Sequence, residues 1–290
     1  MALQVVITGA GGFVGGFVAH ALARRGYAVT AVSRQPAAAP SEPGLTWRHT
    51  DLLKPDALPR RFDALIHCAA VIPERCPDPQ KLYQLNVDMS RNVLGAARRA
   101  GARTVVFLSS MSAYGAITVP TVTEATPPGE LDPYGRAKRD SEGVLEDLVR
   151  RGLHSALSIR LPGTVGKGSH HNFLSGALAR VKSGEVLKAR NPDSLFNNIV
   201  YVGDLAVFLG GWIADPHPGY AVTNLAASEP LRFREVLALL FSLSGREERL
   251  SFEAGGKPPF LIALDRAVSL GYRPSTVRAS IASFVRDTHG

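Results

Sequence analysis

Leu3-Gln-Val-Val-Ile-Thr8 runs directly into Gly9-Ala-Gly-Gly12-Phe13-Val14-Gly15, and a helix-period pattern, Phe13–Arg25, follows at once. The glycines stand as G-x-x-G-x-x-G. Each has a task that a Cβ would obstruct: a tight turn out of the strand, approach of a pyrophosphate to the backbone, and close packing of helix on strand. The helix N-terminus then offers free N–H groups and partial positive charge to an anion. Strand, glycine loop and helix in this order predict a dinucleotide-binding unit, with Gly9, Gly12, Phe13, Val14 and Gly15 around the phosphates.

Short apolar, β-branched runs continue the rhythm. Ala28–Ser33, Ala64–Cys68, Thr104–Ser109 and Ser155–Arg160 read as buried parallel strands, with helical patterns over Pro79–Ala100 and Asp132–Arg151 between them. The alternation predicts an α/β fold with a Rossmann-type doubly wound parallel sheet. After about Val165 Gly and Pro become frequent, and only Asn198–Val202 and Gly219–Asn224 suggest further strands. We expect a dinucleotide-binding domain of residues 1–165 plus about 192–224. A small, mostly helical C-terminal substrate lobe would take about 166–191 and 225–290.

The end of the second predicted strand reads the cofactor's ribose. An Asp or Glu there suits the free 2′-hydroxyl of NAD; this chain has Ser33-Arg34. A charge-assisted contact from Arg34 to a 2′-phosphate, about 1.5–3 kcal/mol, favours NADP roughly tenfold to a hundredfold. NADP is therefore the expected cofactor and NAD the alternative.

Ser109-Ser110-Met111-Ser112-Ala-Tyr114 follows the strand Thr104–Ser109, where open α/β sheets place their chemistry. Farther on, Tyr134 and Lys138 in Pro133-Tyr-Gly-Arg-Ala-Lys138 lie one helical turn apart on one face. An ammonium beside a phenol favours phenolate and draws the tyrosine pKa from ~10 toward neutrality. Tyr134 then serves as acid/base at a hydroxyl or ketone carbon.

With these motifs in order, the chain resembles the extended short-chain dehydrogenase/reductase family, also called the NAD-dependent epimerase/dehydratase family. The likeness runs from Thr8-Gly-Ala-Gly-Gly-Phe-Val-Gly15 to Leu270-Gly-Tyr-Arg-Pro274. It includes Asp51-Leu52, His67-Cys68-Ala69-Ala70, Asn86-Val87, Arg160-Leu161-Pro162-Gly-Thr-Val-Gly166 and Val202-Gly-Asp-Leu205. The resemblance implies catalytic roles for Ser110, Tyr134 and Lys138, with Ser112 in reserve. It implies cofactor contacts from Asp51, Leu52, Cys68, Ala69, Ala70, Asn86, Ser109, Leu161 and Pro162, and substrate contacts from Ser112, Asn172 and Asn197. It also implies a homodimer built on the helices at 79–100 and 132–151.

Two departures narrow the chemistry. Sugar-nucleotide dehydratases of the family have Thr-Asp-Glu where this chain has Ser110-Met111-Ser112, so the acid and base that remove water are missing. Members acting on nucleotide sugars often carry Arg-Asp where Asn197-Asn198 stand, and an amide does not neutralise a diphosphate. Lys182, Lys188, Arg190, Arg232 or Lys257 are the candidate substitutes.

Length and composition exclude more than they assign. The 290 residues bury a sizeable core, and 45% hydrophobic with 20% charged residues is an ordinary globular balance. Two cysteines, Cys68 and Cys76, form neither a disulfide framework nor a Cys-rich metal site, which suits the cytoplasm. His170-His171 lacks the spaced third ligand of a metal centre, and no metal is expected. No run approaches the ~20 apolar residues of a membrane span. The net charge of +8 comes from 33 Lys+Arg, only seven of them Lys. Without basic–aromatic interleaving it does not predict nucleic-acid binding. The expected activity is an NAD(P)-dependent oxidoreductase acting on a sugar, nucleotide sugar or similar small substrate. The alternatives are a nucleotide-sugar epimerase that retains its cofactor and a catalytically silent NADP-sensing module.

Overall fold

The computed structural model describes residues 2–35 and 42–288; residues 36–41, most of a Pro/Ala-rich loop expected between Gln35 and Gly44, lie outside the described residues. Seven strands form the central sheet: β1 (Gln4–Thr8), β2 (Ala28–Ser33), β3 (Leu45–His49), β4 (Ala64–His67), β5 (Thr104–Ser110), β6 (Ser155–Leu161) and β7 (Gly219–Asn224). Their spatial order is β7-β6-β5-β4-β1-β2-β3. The pairs β2–β3, β1–β2, β1–β4 and β4–β5 are parallel. The strand order reverses beside β1, which opens a crevice at the carboxyl ends of β1 and β4. This is the Rossmann-type sheet that the sequence predicts.

The strands are continuous apolar runs because both faces of the sheet are covered; in β5 every residue from Thr104 to Ser109 is buried. The strand that the patterning does not single out is β3, Leu-Thr-Trp-Arg-His, an edge strand with one fully buried residue, Leu45. Helices α1 (Phe13–Arg24), α2 (Pro79–Arg99) and α3 (Pro133–Arg150) connect the strands. Asp78 caps α2 by accepting from the Lys81 N–H at 3.0 Å, and Asp132 caps α3 by accepting from the Gly135 N–H at 2.6 Å. In both helices Pro takes the first helical position, where its missing N–H is not needed. The outward residues Arg136, Asp140, Asp147 and Arg150 of α3 are exposed and charged.

Residues group into two compact units, 1–116 with 127–160 and 206–223, and 117–126 with 161–205 and 224–290. The second holds α4 (Phe173–Lys182), the start of α5 (Val202–Ala214), α6 (Phe233–Leu243), α7 (Asp265–Ser269) and α8 (Val277–Asp287). Its core gathers Leu178, Val181, Leu237, Phe241, Ile281 and Phe284. The division differs from the expected boundaries in that 192–205 and 117–126 group with the second unit. Strand pairing within the second unit accounts for both. Leu195–Phe196 pairs with Leu231–Arg232, Ile199–Tyr201 with Gly163–Val165, and Thr121–Val122 with Leu261–Ile262.

One ion pair ties three elements of the first unit together. Glu142 on α3 accepts from Arg160 of β6 through Nε at 3.0 Å and Nη2 at 2.7 Å, and from Ser109 Oγ of β5 at 2.6 Å. Both charged side chains are buried. Burial opposes the Arg160 charge, and the bonds to Glu142 outweigh it, holding its pKa above the ordinary arginine value. Removing one partner strands the other as an unpaired buried charge. Glu142→Ala is expected to lower the unfolding free energy by about 3–5 kcal/mol in urea titration; a loss below about 1 kcal/mol contradicts this account of the pair.

Candidate active site

The glycine loop forms where β1 passes into α1. Gly9 has φ +72°, and a Cβ built on it would lie 2.6 Å from the Ala69 nitrogen. A Cβ on Gly15 would lie 2.4 Å from the Gly9 carbonyl oxygen. The loop therefore sits against the chain leaving β4, and only hydrogen atoms fit between them. Gly12 N–H donates to Gly9 O at 3.0 Å, which closes the turn that starts α1. No side chain caps α1, so its first N–H groups face outward for an anion. These residues fit a dinucleotide pyrophosphate.

The neighbouring cofactor candidates have distinct surroundings. The Ser33 side chain reaches the loop, since a Cβ on Gly11 would lie 2.4 Å from its hydroxyl oxygen; Arg34 beside it is exposed. Asp51 is exposed and accepts from the Leu53 N–H, while Leu52 is buried and its carbonyl accepts from Asn92. Cys68, Ala69 and Ala70, at the end of β4, are partly exposed. Burial pushes the Cys68 thiol up to about 12, so it is a neutral thiol. His67 is wholly buried, contacts Thr8 Oγ1 at 2.7 Å and Ser90 Oγ at 3.3 Å, and is driven down to about 3 by burial and by Lys138. It is a neutral strap between β4, β1 and α2. Asn86 is buried and spends its amide on Val71 N–H, Val71 O and Leu82 O; it shapes the segment after β4 from behind.

Ser110 ends β5 and caps the turn Met111–Tyr114. Its hydroxyl accepts from Ser112 N–H at 3.1 Å and donates to Ser112 Oγ at 3.2 Å. The first turn of α3 rests on this turn, because a Cβ on Gly135 would fall 2.2 Å from the Ser112 carbonyl oxygen. Gly135 therefore lets Tyr134 approach the serine turn. One helical turn later, Lys138 Nζ donates to Leu108 O at 2.7 Å and sits 4.7 Å from the Phe107 ring centroid and 5.5 Å from that of Tyr134. Ser110, Tyr134 and Lys138 thus converge at the carboxyl end of β5, in the first unit.

The electrostatics depart from the sequence expectation. Burial pushes Tyr134 up to about 12, and the carboxylates of Glu74 and Asp132 add to the rise. Burial also brings Lys138 down to about 8 against the opposing pull of Cys68 and Glu142. Desolvation, with the two carboxylates, thus holds the phenol above its ordinary value instead of drawing it toward neutrality.

Leu161, Pro162, Asn172 and Asn197 belong to the second unit. Asn172 caps α4, accepting from Ser175 N–H at 2.9 Å and donating to Thr164 O at 3.1 Å. Asn197 is buried and bonds both ways to the Ile262 backbone, at 2.9 and 3.0 Å. Both amides are committed to the fold. Lys188 and Arg190 share Glu253, at 4.0 and 3.3 Å, and Lys182 donates to Thr288 O. Sequence reasoning missed Glu142 and Arg160. The available signal was Glu142 one turn beyond Lys138 on the same helical face.

Known proteins share this fold. The model of the NAD dependent epimerase/dehydratase family matches residues 5–209. A UDP-glucose 4-epimerase of Azospirillum brasilense is 27% identical over 299 residues, covering 90% of this chain and 83% of that protein. The solved UDP-glucose 4-epimerase of Thermotoga maritima, with UDP-glucose, superposes with a TM-score of 0.83 at 19% identity over 98% of each chain. That of Thermus thermophilus, solved with NAD, gives 0.80 at 22% identity over 99% of each. The chain belongs to the NAD-dependent epimerase/dehydratase family, the extended branch of the short-chain dehydrogenase/reductase enzymes.

Proposed function

We propose that the protein is an NADP(H)-dependent oxidoreductase acting at a hydroxyl or ketone carbon of a sugar, nucleotide sugar or similar small molecule. The observation that carries this is the half-buried Tyr134, one turn from Lys138 and beside the Ser110 turn. A bound nicotinamide supplies the donor and acceptor of hydride. The glycine loop and the start of α1 would hold its pyrophosphate, Asp51–Leu52 and Cys68–Ala70 would border its adenosine, and Ser33-Arg34 in place of an acid supports NADP over NAD.

Tyr134 gives its phenolic proton to the carbonyl oxygen of a ketone being reduced, and takes one from a hydroxyl in the reverse direction. The Ser110 hydroxyl orients the same oxygen. The phenolate left on Tyr134 is stabilised by the Lys138 ammonium, which is held in place by Leu108 O. Asn197 and Asn172, whose amides are committed, are left out of the substrate contacts.

A second reading, a 4-epimerase that keeps its cofactor and returns hydride to the other face of the sugar, is favoured by the names of the relatives. Mass spectrometry of the protein as purified separates the two: exchangeable NADP(H) supports the reductase, and one non-dialysable dinucleotide per chain supports the epimerase. A homodimer through α2 and α3 rests on the family likeness alone, and a monomer in sedimentation at micromolar concentration overturns it. The free thiols Cys68 and Cys76 support a cytoplasmic setting.

Tyr134→Phe is expected to lower kcat/KM at least ~100-fold with cofactor affinity retained; full turnover on an identified substrate contradicts the assignment. The cation on Lys138 is present below its pKa of about 8 and lost above it. Carbonyl reduction is therefore expected to hold level at lower pH and fall as pH rises through about 8. Lys138→Met removes a charge that folding desolvates. It is expected to raise the unfolding free energy by about 1–3 kcal/mol below pH 8 while abolishing turnover. The gain shrinks as pH climbs from about 8 toward the unfolded value of 10.5, because the folded lysine is then already neutral.

A further inference from the structure

We infer that Arg75 and Lys81, together with Arg34, form the seat of the cofactor's 2′-phosphate; this rests on the NADP(H) proposal above. A cavity of about 430 Å³ opens at the carboxyl end of β2, within the first unit. Ala70, Val71 and Leu85 give it an apolar wall, and Arg34, Arg75 and Lys81 bring three cations to it. The volume suits a nucleoside-sized group. The apolar wall suits the face of a base, and the cations suit an anion carried on its sugar.

The cations outnumber the acids. Among the described residues none of the three cations forms an ion pair, and all three are exposed. The one acid lining the cavity, Asp78, has its Oδ1 engaged by the Lys81 N–H at 3.0 Å. Lys81 is moreover the third residue of α2, whose first turn holds no acid. An anion in the cavity is attracted by all three side chains at once, which outnumber the single carboxylate of Asp78 capping the helix.

The position selects the 2′-phosphate over the pyrophosphate. Pyrophosphate belongs at the start of α1, whereas the residues ending β2 read the adenosine ribose. Ser33 touches the glycine loop on one side and Arg34 enters the cavity on the other. A phosphate monoester brings about −1.5 to −2 charge and three acceptor oxygens, which matches three convergent cations. Residues 34, 75 and 81 meet only in the fold, so no sequence motif announces them.

The test uses the full chain and two fragments differing only in the 2′-phosphate, 2′,5′-ADP and 5′-AMP, with dissociation constants from calorimetry and Tm as the check on folding. Wild type is expected to bind 2′,5′-ADP more tightly. Arg75→Ala and Lys81→Ala are each expected to weaken 2′,5′-ADP about tenfold while 5′-AMP stays within about twofold. If both variants keep wild-type affinity for 2′,5′-ADP while Arg34→Ala loses it, the inference fails and the NADP(H) proposal stands. Equal weakening of both fragments assigns Arg75 and Lys81 to the shared part of the nucleotide and also overturns it. If wild type binds the two fragments alike, the NADP(H) proposal fails and takes the inference with it.

Discussion

Glu142 is the residue on which the geometry of the active site depends. Its carboxylate gathers Ser109 of β5, its own helix α3 and Arg160 of β6 around one buried point. These are the elements that carry Ser110, Tyr134 and Lys138. A buried ion pair is poor evidence for added stability, because desolvation offsets most of its attraction. Its directional bonds do something else: they set the rotation of α3 against the sheet. Arg160 also lies 4.6 Å from the centroid of the Tyr114 ring, so the serine turn is pinned at its far end as well.

Around that point the protein keeps a set of polar groups in states that water would not favour. His67 is held neutral, Cys68 protonated, Tyr134 protonated and Lys138 close to the edge of deprotonation. Desolvation is the first cause of all four shifts. Lys138 answers it with one carbonyl, and His67 with two hydroxyls. Tyr134 is opposed further by Glu74 and Asp132. Such a cluster is unfavourable for folding and useful for moving protons, the usual trade at a catalytic centre.

What was legible in the sequence was whatever local chemistry dictates. Strands of continuous apolar residues, a glycine loop between strand and helix, and Tyr134 four residues before Lys138 each report themselves within a short window. The edge strand β3 did not, because Leu-Thr-Trp-Arg-His is half exposed and lacks the pattern of a covered strand. Asn86, Asn172 and Asn197 look from sequence like ligand contacts, and each has its amide committed to backbone groups. An amide is its own complement, so composition alone does not separate the two uses. The grouping of 192–205 with the second unit left no mark in the sequence for a related reason: the pairings that draw it there are long-range and leave no periodic trace. The tyrosine pKa shows the same limit. Spacing places an ammonium beside a phenol, but only burial decides that desolvation prevails.

The central claim is that Tyr134, held beside Lys138 in the protein by itself, is a phenol poised to donate its proton. The ultraviolet difference spectrum between wild type and Tyr134→Phe, followed at 295 nm across pH, tests it most directly. The account predicts no phenolate absorbance assignable to Tyr134 up to about pH 9, in keeping with a pKa pushed up to about 12 by burial. A Tyr134-dependent phenolate titrating between about pH 6 and 8 would contradict it, and would show the lysine prevailing over desolvation.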